Sequence, residues 1–437
     1  MYSTGGLADT FAKLVAGVEE RVDGPLPAAV RFWDGSEVGP GESGPAEDTI
    51  IVRDPRALQY AVMRPDQLGI GRAWVAGDVD LDGDLYRVMS KGSRLYGFQF
   101  TFGEKVRAFL AAVSLGAIKI PPPKPPEAEA RPQGRLHSLG RDRDAISHHY
   151  DVSNDFYRMF LGPTMVYSCA YFADPADTLE AAQERKLDVI CRKLHLEPGE
   201  RMLDIGCGWG SLLIHAARNY GVRGVGVTLS EEQAEYARAA IREAGLSDSL
   251  EVRVQDYREV SDGPYDKVVS VGMYEHVGAS QLDRYMEITR DLVRPGGLAL
   301  HHGICQIHQD EEMPNTFIQR YVFPDGELHP VNQVIAALER SGQELRDAES
   351  MREHYALTLR HWVANLDGRR DEAIAEVGEE RERVWRLYMA ASALAFERGD
   401  VSIFQLLAAV PGDRHQLELS RPQYVADDLE SATIEPA

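Results

Sequence analysis

The chain has 437 residues, of which 44% are hydrophobic and 27% charged, and its 47 Lys and Arg against 69 Asp and Glu give a net charge of −22. This length exceeds what one hydrophobic core usually serves, so two domains are expected. The acidic balance argues against a nucleic-acid partner, whose phosphates need a basic surface, and against broad electrostatic adhesion to anionic lipid.

Cysteine usage and hydropathy point to a cytoplasmic protein. The spacing of Cys169, Cys191, Cys207 and Cys305 fits no zinc pattern, and four cysteines are too few for a disulfide scaffold. We therefore expect reduced thiols and predict no metal site. The N-terminal segment lacks the continuous apolar stretch of a secretory signal, and no stretch reaches the ~18 apolar residues of a membrane span.

Residues 1–118 are predicted to form one small α+β domain. The spacing of apolar residues predicts a helix over 7–22, a strand and turn over 29–40, and a strand followed by a helix over 48–63. The stretch 68–89 alternates in part between apolar and polar residues and ends in a short helix. Nothing in this domain has catalytic spacing.

A proline-rich stretch follows, with six prolines between residues 118 and 134. Such a segment favours extended polyproline II structure and is expected to join no core, so we predict a linker over 119–144. Three arginines and a single acid then stand between residues 135 and 143. They are interpreted either as the solvated end of the linker or as a local patch for lipid phosphate.

Residues 145–437 are predicted to form an α/β domain. Strands alternate with helices here, a rhythm typical of a parallel sheet covered on both faces. The part from about residue 366 is predicted to be helical, and the acidic tail is expected to be mobile. The predicted strands lie within 201–210, 221–230, 250–260, 266–278 and 296–305.

The segment LDIGCGWGS joins the first of these strands to a helix through a glycine-rich turn. Its glycines let a ligand approach the backbone at the positive end of the helix dipole. The pattern is not GxGxxG. The spacing D-x-G-x-G-x-G is typical of methyltransferases that bind S-adenosylmethionine, with Asp204 placed to accept from the ammonium of the ligand. The second strand ends without the usual ribose-binding acid, so Thr228, Ser230 or Gln233 would have to replace it.

Seven sequence motifs, in the order in which they occur along the chain, together resemble those of the cyclopropane-fatty-acid synthase family. This family includes the mycolic acid cyclopropane synthases and the ten-methylene fatty acid synthases. The resemblance spans about residues 145–410. The N-terminal domain is similar, more weakly, to the extra domain of the phospholipid-acting branch. The motifs are HYDVSNDFY (149–157), PTMVYSCAYF (163–172), LDIGCGWG (203–210), GVTLSEEQ (226–233), QDYREV (255–260), SVGMYEHVG (270–278) and YVFPDGELHP (321–330).

The resemblance implies a Rossmann-like class I methyltransferase sheet with a smaller N-terminal α+β accessory domain. It also implies methyl transfer from S-adenosylmethionine to the double bond of an unsaturated fatty acyl chain in a phospholipid. By position in the matching motifs, the cofactor-binding residues would be Tyr167, Ser168, Asp204, Gly206, Gly208, Gly210, Thr228, Gln233, Asp256 and Tyr257.

Alkene attack on a sulfonium methyl leaves a carbocation on the chain, which the site must shield from water and stabilise. Aromatic faces can do so by cation–π attraction, and Tyr171, Tyr274, Phe317 and Tyr321 lie in motif segments that could supply them, although each could equally pack in a core. A base must then remove a proton. In the family this base is thought to be bound bicarbonate, and the matching positions are Cys169, Ile304, Glu275, His302 and Tyr355.

Within the bicarbonate set, Cys169 and Ile304 would act through backbone amides, and the neighbour His276 is predicted to serve the structure of its loop. His302 is preferred to His301 from its place before Gly303 and Ile304. Cys169 is predicted to be a buried, unreactive residue. The product, a cyclopropane or a ten-methylene chain, is left open, because both arise from one cation.

The implied setting is the inner face of a membrane, with the protein bound peripherally. The segment 104–120 is the candidate contact, and an ordinary core helix is the alternative for it. A homodimer and a reductase that acts on the product are further implied partners. The competing functions are a methyltransferase of a small molecule and a non-catalytic lipid-binding relative. A nicotinamide-dependent dehydrogenase is disfavoured, because its glycine and acid signature is absent.

Overall fold

The chain forms two compact units, each built from separated stretches of sequence. The computed structural model describes residues 8–9, 11–12, 26–39, 47–92, 101–114, 123–130, 141, 152–307, 316–324, 326–412 and 417. The first unit comprises Met1–Arg131, Glu312–Pro324 and Arg369–Leu394, and the second comprises Pro132–Glu311, Asp325–Gly368 and Ala395–Ala437. The predicted division at a single linker differs from this grouping, because two later segments belong with the first unit.

The first unit contains a four-stranded sheet in the order β2-β1-β3-β4, in which β1 and β3 are parallel and the other pairs antiparallel. Its strands are Ala29–Arg31 (β1), Glu37–Val38 (β2), Thr49–Val52 (β3) and Val79–Asp82 (β4). Its helices are Arg56–Met63 (α1), Gln67–Val75 (α2), Leu85–Lys91 (α3), Phe102–Ser114 (α4), Phe317–Tyr321 (α10), Arg370–Val377 (α13) and residues 379–394 of Glu379–Arg398 (α14).

The partly alternating stretch after residue 68 begins with a helix. The side chain of Asp66 accepts hydrogen bonds from the backbone N–H groups of Leu68 and Gly69, which caps α2 and satisfies donors that have no partner within the helix. Of the predicted N-terminal helix, residues 8–9 and 11–12 are described and are helical; the rest of it lies outside the described residues.

The expectation that the proline-rich stretch joins no core is wrong for residues 126–130. Pro126, Glu129 and Ala130 are buried in the first unit. Arg72 on α2 pairs with Glu129 through two hydrogen bonds of 2.7 Å, and Tyr321 on α10 donates to the same carboxylate at 3.2 Å. The ion pair between Arg72 and Glu129 therefore holds this part of the segment against the first unit, although its prolines favour an extended chain in solvent. Of the arginine cluster that follows, Arg141 alone is described.

The second unit contains an eight-stranded sheet. Seven strands follow the order β11-β12-β9-β8-β5-β6-β7, and the short strand β10 pairs with β9. Its strands are Arg201–Ile205 (β5), Arg223–Thr228 (β6), Leu250–Val254 (β7), Tyr265–Val271 (β8), Val293–Gln306 (β9), His329–Pro330 (β10), Glu344–Ser350 (β11) and Val401–Ala409 (β12). Its helices are Asn154–Leu161 (α5), Leu179–Lys193 (α6), Ser211–Tyr220 (α7), Glu231–Glu243 (α8), Leu282–Leu292 (α9), Val331–Arg340 (α11) and Arg352–Gly368 (α12).

The five strands predicted from the sequence form the parallel part of this sheet. Three strands were missed: β12 runs antiparallel to β9, β11 runs antiparallel to β12, and the short β10 runs parallel to β9. The predicted helical C-terminal region is confirmed over α13 and α14, but β12 follows it and completes the sheet. The acidic tail lies outside the described residues.

Side chains of β9 alternate between the two faces of the sheet. Leu298 and Leu300 pack in one buried cluster, whereas Ala299 packs in another. The same period of two sends the side chains of His301 and His302 to opposite faces. His301 meets Tyr285 of α9, with Nδ1 3.4 Å from the phenol oxygen, so His302 faces the side of the sheet that carries α6.

No helix among the described residues is long and apolar enough to cross a membrane. All four cysteines are free and buried. The predicted α/β fold with a smaller α+β unit is confirmed.

Candidate functional site

The glycine turn between β5 and α7 has a backbone that only glycine adopts readily. Gly206, Gly208 and Gly210 have φ angles of 79°, 52° and 83°. A Cβ atom added at Gly206 would lie 2.7 Å from Sδ of Met273, whereas one at Gly208 would meet no atom within 4 Å. The turn thus leaves open space beside Gly208 at the start of a helix.

This open space belongs to a cavity at the carboxyl ends of the parallel strands, where α/β folds commonly bind ligands. Nine of the ten residues predicted to bind a cofactor line it: Tyr167, Ser168, Asp204, Gly206, Gly208, Thr228, Gln233, Asp256 and Tyr257. Gly210 does not line it, and a Cβ there would instead lie 3.0 Å from Cβ of Ala237 on α8. That glycine serves the contact between two helices.

The end of β6 shows how the site manages without a ribose-binding acid. Thr228 donates its hydroxyl hydrogen to Oε1 of Gln233 over 2.9 Å, and Ser230 caps α8 by accepting from the backbone N–H of Gln233. The amide oxygen of Gln233 is therefore engaged, which orients its nitrogen as a donor in the cavity wall. A neutral pair replaces the acid.

Asp256 keeps its carboxylate engaged with its own loop. Arg258 donates to both carboxylate oxygens, at 2.8 and 2.7 Å, and its backbone N–H donates at 2.9 Å. Tyr257 lies between the two residues of this pair. The arrangement fixes the loop that would face an adenine ring.

A buried lysine that the sequence analysis missed also lines the cavity. Lys186 on α6 is 2% exposed, and its ammonium donates to Oγ of Ser168 over 3.0 Å. Burial lowers its pKa to about 8, and burial raises the pKa of Asp204 to about 7 against the opposing charge of Lys186. The signal in the sequence was a lysine beside Leu187 and at helical spacing from Ile190, on the face of α6 that is buried in the structure.

His276, predicted to serve its loop, is another residue that lines the cavity. Burial lowers the pKa of its imidazole to about 4, so the ring is neutral at pH 7. Glu275, one residue earlier in the same turn, does not line the cavity. The short helical turn Tyr274–His276 therefore directs two neighbouring ionisable groups to different places.

Glu275 and Ile304 come together as the motif positions suggest. Oε1 of Glu275 accepts from the backbone N–H of Ile304 over 3.4 Å. A Cβ at Gly303 would lie 2.7 Å from Oε2, so glycine is what allows the carboxylate to approach β9. Glu275 is 8% exposed, and burial raises its pKa from 4.5 to about 7. Among the described residues, Oε2 has no hydrogen-bond partner.

Cys169 and Tyr355 meet at the start of α12. The thiol of Cys169 lies 3.7 Å from the carbonyl oxygen of Met351, which also accepts from the backbone N–H of Tyr355. Burial raises the pKa of the thiol far above its ordinary range, which agrees with an unreactive cysteine. The ring of Tyr355 packs against Phe396, with centroids 4.7 Å apart.

Electrostatics relate this second group of residues to Lys186. Burial lowers the pKa of His302 and the charge of Lys186 lowers it further, whereas at the Cys169 thiol the same charge offsets only part of the rise in pKa that burial causes. None of the five predicted catalytic residues lines the cavity. The five predicted catalytic residues thus lie outside the cavity lining, and Lys186 of that lining acts electrostatically on two of them, Cys169 and His302.

The aromatic residues considered for cation stabilisation pack in cores. Tyr274 donates to the carbonyl of Gly303 at 2.6 Å, and Tyr171 donates to Glu349 at 2.9 Å. Phe317 and Tyr321 stack on each other in the first unit, with centroids 4.9 Å apart. Tyr157, Tyr167 and Trp209 instead form the aromatic cluster beside the cavity.

Comparison with known proteins identifies what this architecture resembles. Residues 137–406 match the family model described as mycolic acid cyclopropane synthetase. A probable fatty acid methyltransferase of Mycobacterium tuberculosis is 41% identical over 397 residues, which cover 88% of this chain and 91% of that protein. The cyclopropane-fatty-acyl-phospholipid synthase of Escherichia coli K12 is 39% identical over 259 residues, which cover 59% and 66%.

A solved structure of a mycolic acid cyclopropane synthase, complexed with SAH and CTAB, is similar in fold. It superimposes with a TM-score of 0.58 at 33% identity and covers 61% of this chain and 98% of that chain. The Rossmann-like class I sheet predicted from the sequence is thereby confirmed.

Proposed function

We propose that this chain, which belongs to the mycolic acid cyclopropane synthetase family, methylates the double bond of an unsaturated fatty acyl chain carried on a phospholipid. It is an S-adenosylmethionine-dependent enzyme of that family. The observation that carries the proposal is the cavity beside the glycine turn, lined by nine residues at the positions that the family motifs assign to the cofactor.

The residues of the cavity fit S-adenosylmethionine. Asp204 supplies a carboxyl partner for an ammonium group, whose charge would favour the ionised carboxylate. The open space beside Gly208 leaves room for a methionyl group near the start of α7. Gln233 would meet the ribose hydroxyls, and the Asp256 loop would meet the adenine. When bound, the cofactor supplies an electrophilic methyl group on a sulfonium sulfur.

The protein must then shield a carbocation and remove a proton from it. Oε2 of Glu275 and Nε2 of His302 are buried polar atoms without partners among the described residues. They support a small bound anion that accepts from His302 and donates its own hydroxyl hydrogen to Glu275. We assign that anion as bicarbonate, held by Glu275, His302 and Tyr355 and by the backbone N–H groups of Cys169 and Ile304. The proton from the acyl cation passes to this anion.

The product depends on which proton is removed. Loss from the transferred methyl group closes a cyclopropane, whereas a hydride shift before the loss gives a ten-methylene chain. One relative that covers 88% of the chain is named a probable fatty acid methyltransferase, whereas the cyclopropane-fatty-acyl-phospholipid synthase aligns over 59% of it. This difference supports the ten-methylene product, which a reductase could convert to a methyl branch.

Gas chromatography and mass spectrometry of fatty acids from cells that express the chain with an oleoyl phospholipid supply will identify the product. We expect methylated C19 acyl chains that carry label from methyl-labelled methionine. If no label enters phospholipid acyl chains although the protein binds S-adenosylmethionine, a small-molecule substrate or a non-catalytic role is correct instead.

The variant Glu275→Gln separates binding from chemistry. It removes a carboxylate that lies outside the cavity lining, so we expect the dissociation constant for S-adenosylmethionine to stay within twofold. Turnover should fall by about 100-fold or more, since a positioned group that serves proton transfer contributes that much. Near-normal turnover in the labelled-methyl assay would contradict the role given to Glu275.

We further propose peripheral attachment to the inner face of the membrane through α4. Its side chains Val106, Phe109, Leu110 and Val113 are exposed, and their spacing places them along one side of the helix. An acyl substrate lies in a bilayer, which favours lipid as the occupant of this face. Flotation of the full chain with liposomes of uncharged, unsaturated phospholipid should succeed, and the triple variant of Val106, Phe109 and Leu110 to Ser should stay at the bottom of the gradient.

A homodimer is part of the same proposal, and sedimentation equilibrium of the purified chain tests it. A single species at 48.6 kDa, the mass of one chain, would exclude it.

A further inference from the structure

A buried glutamine on the last strand contacts one of the predicted catalytic residues. Gln405 on β12 and His302 on β9 are direct partners across the antiparallel pair. Both side chains are completely buried at 0% exposure. Nε2 of Gln405 lies 3.1 Å from Nδ1 of His302. No motif in the sequence pointed to this glutamine, because β12 was not predicted.

The chemistry of the contact determines where the proton of the imidazole sits. In this structure the amide of Gln405 turns its nitrogen towards the ring and leaves its oxygen without a partner among the described residues. With the amide in this orientation, Nδ1 of His302 presents a lone pair, because an amide nitrogen donates and cannot accept. In the neutral ring the single proton then lies on Nε2. Burial lowers the pKa of His302 well below its ordinary value, and the charges of Lys186 and Lys193 add to this effect, so the ring is neutral.

The proton on Nε2 faces no acceptor among the described residues. Buried N–H groups are rarely left without a partner, so a bound group is expected to accept from it. Oε2 of Glu275 lacks a partner in the same way. A ring with its proton on Nε2 can donate a hydrogen bond from Nε2 to an anion, but Nε2 then has no lone pair with which to accept a proton.

We infer that Gln405 is a positioning residue that fixes the Nε2–H tautomer of His302, so that His302 donates to the bound anion and does not take the substrate proton. The identity of this anion as bicarbonate rests on the proposed function. The tautomer itself is a property of the protein without ligands.

Nuclear magnetic resonance of the full chain labelled with ¹⁵N-histidine tests the tautomer directly. Two-bond ¹H–¹⁵N correlations distinguish protonated from unprotonated ring nitrogens, and the variant His302→Gln identifies the signals. We expect a protonated Nε2 and an unprotonated Nδ1 in the unaltered chain. A protonated Nδ1 would overturn the inference.

Gln405→Glu places an acceptor at the same position and should move the proton to Nδ1. Gln405→Met has similar length and no donor, so it should leave a mixture of tautomers; it replaces the first variant if a buried carboxylate prevents folding. An unchanged Nε2–H tautomer in the variant that folds would show that Gln405 does not set it.

Turnover supplies the functional readout. For Gln405→Glu or Gln405→Met we expect the KM for bicarbonate to rise about tenfold, as for the loss of one hydrogen bond to an anion. The dissociation constant for S-adenosylmethionine should stay within twofold. Gln343→Met is the matched control, since Gln343 is also buried in this unit and donates to Met286 at 3.1 Å; its KM for bicarbonate should not change.

The two hypotheses fail in different ways. If turnover of the unaltered chain is independent of bicarbonate while the tautomer changes as expected, the proposed base is wrong and the role of Gln405 stands. If turnover depends on bicarbonate while both Gln405 variants keep the tautomer and the KM, the role of Gln405 is wrong and the proposed base stands.

Discussion

At the scale of single residues, burial controls the protonation of the candidate site. Burial shifts four pKa values in the direction that favours the uncharged side chain, and loss of solvation is the largest cause of each shift. The four residues are Glu275, Asp204, Lys186 and His276. Such groups cost stability and are found where function requires them. A site that handles a carbocation gains from few fixed charges and no water.

The stability of the protein should depend on pH through Glu275. Its pKa is raised from 4.5 to about 7, so between these values the folded state binds more protons than the unfolded state. Stability contributed by the protonated form is therefore present below pH 4.5 and is lost as pH rises to 7, by at most about 3 kcal/mol.

Urea unfolding at a series of pH values tests this dependence. As pH rises from 4.5 to 7, the free energy of unfolding of Glu275→Gln should fall less than that of the unaltered chain. Glu287→Gln is the control, because Glu287 is exposed on α9. Equal pH dependence of all three proteins would contradict a buried, proton-binding Glu275.

Lys186 should control the pH dependence of cofactor binding. Its pKa of about 8 means that the ammonium is present below that pH and is lost above it. We expect the affinity for S-adenosylmethionine, measured by calorimetry, to fall as pH rises through 8, and to be about tenfold weaker and less dependent on pH in Lys186→Met. Arg218→Met removes an exposed charge from α7 and should change neither quantity.

At the scale of elements, strand ends and turns build the site. The glycine turn after β5 opens the cavity, the turn after β8 carries Glu275 and His276, and β9 carries His302 and Ile304. Parallel strands place these ends at one edge of the sheet. The antiparallel strand β12 places Gln405 directly beside His302 of β9. Among the described residues, the parallel strands provide no such polar partner for His302.

Gly206→Ala should disrupt this geometry. The variant must adopt a φ of 79° and brings a methyl group to 2.7 Å from Met273, so we expect it to lose measurable cofactor binding and about 1–2 kcal/mol of stability. Gly245→Ala is the matched control: its φ is 71° and its Cβ meets no atom within 4 Å. It should lose similar stability and keep its affinity for the cofactor.

At the scale of the whole molecule, the two units are interleaved along the chain. Trp74 on α2 donates to the backbone carbonyl of Arg383 on α14 at 3.0 Å, and the guanidinium of Arg383 lies 5.2 Å from the centroid of the Trp74 ring. These contacts join residues 309 positions apart in sequence. The first unit therefore cannot be removed by cutting the chain at one point.

Glu129→Ala should weaken the first unit without touching the cavity. It leaves Arg72, whose side chain is 19% exposed, without its carboxylate partner, and we expect a loss on the order of 2 kcal/mol in urea unfolding. Glu127→Ala is the control, because Glu127 is exposed in the same segment. Affinity for S-adenosylmethionine should not change in either variant, since the cavity lies wholly in the second unit.

The parallel sheet and nine of the residues that line the cavity follow from local sequence patterns. Apolar runs that end in LDIGCGWG, VTLS and MYEHVG define strands and their ends locally, because each strand and its turn are continuous in sequence. The motifs also selected His302 over His301, and the alternation of β9 places these two side chains on opposite faces.

Contacts between polar side chains that are far apart in sequence could be read only from the tertiary structure. Lys186 looked like one polar residue in an amphipathic helix, and its contact with Ser168 depends on how α6 packs. Gln405 reaches His302 across a strand pair separated by 103 residues, and Glu129 reaches Arg72 across 57. Local patterns carry the period of a helix or strand, whereas burial and pairing of polar groups depend on contacts that form only when the whole chain has folded.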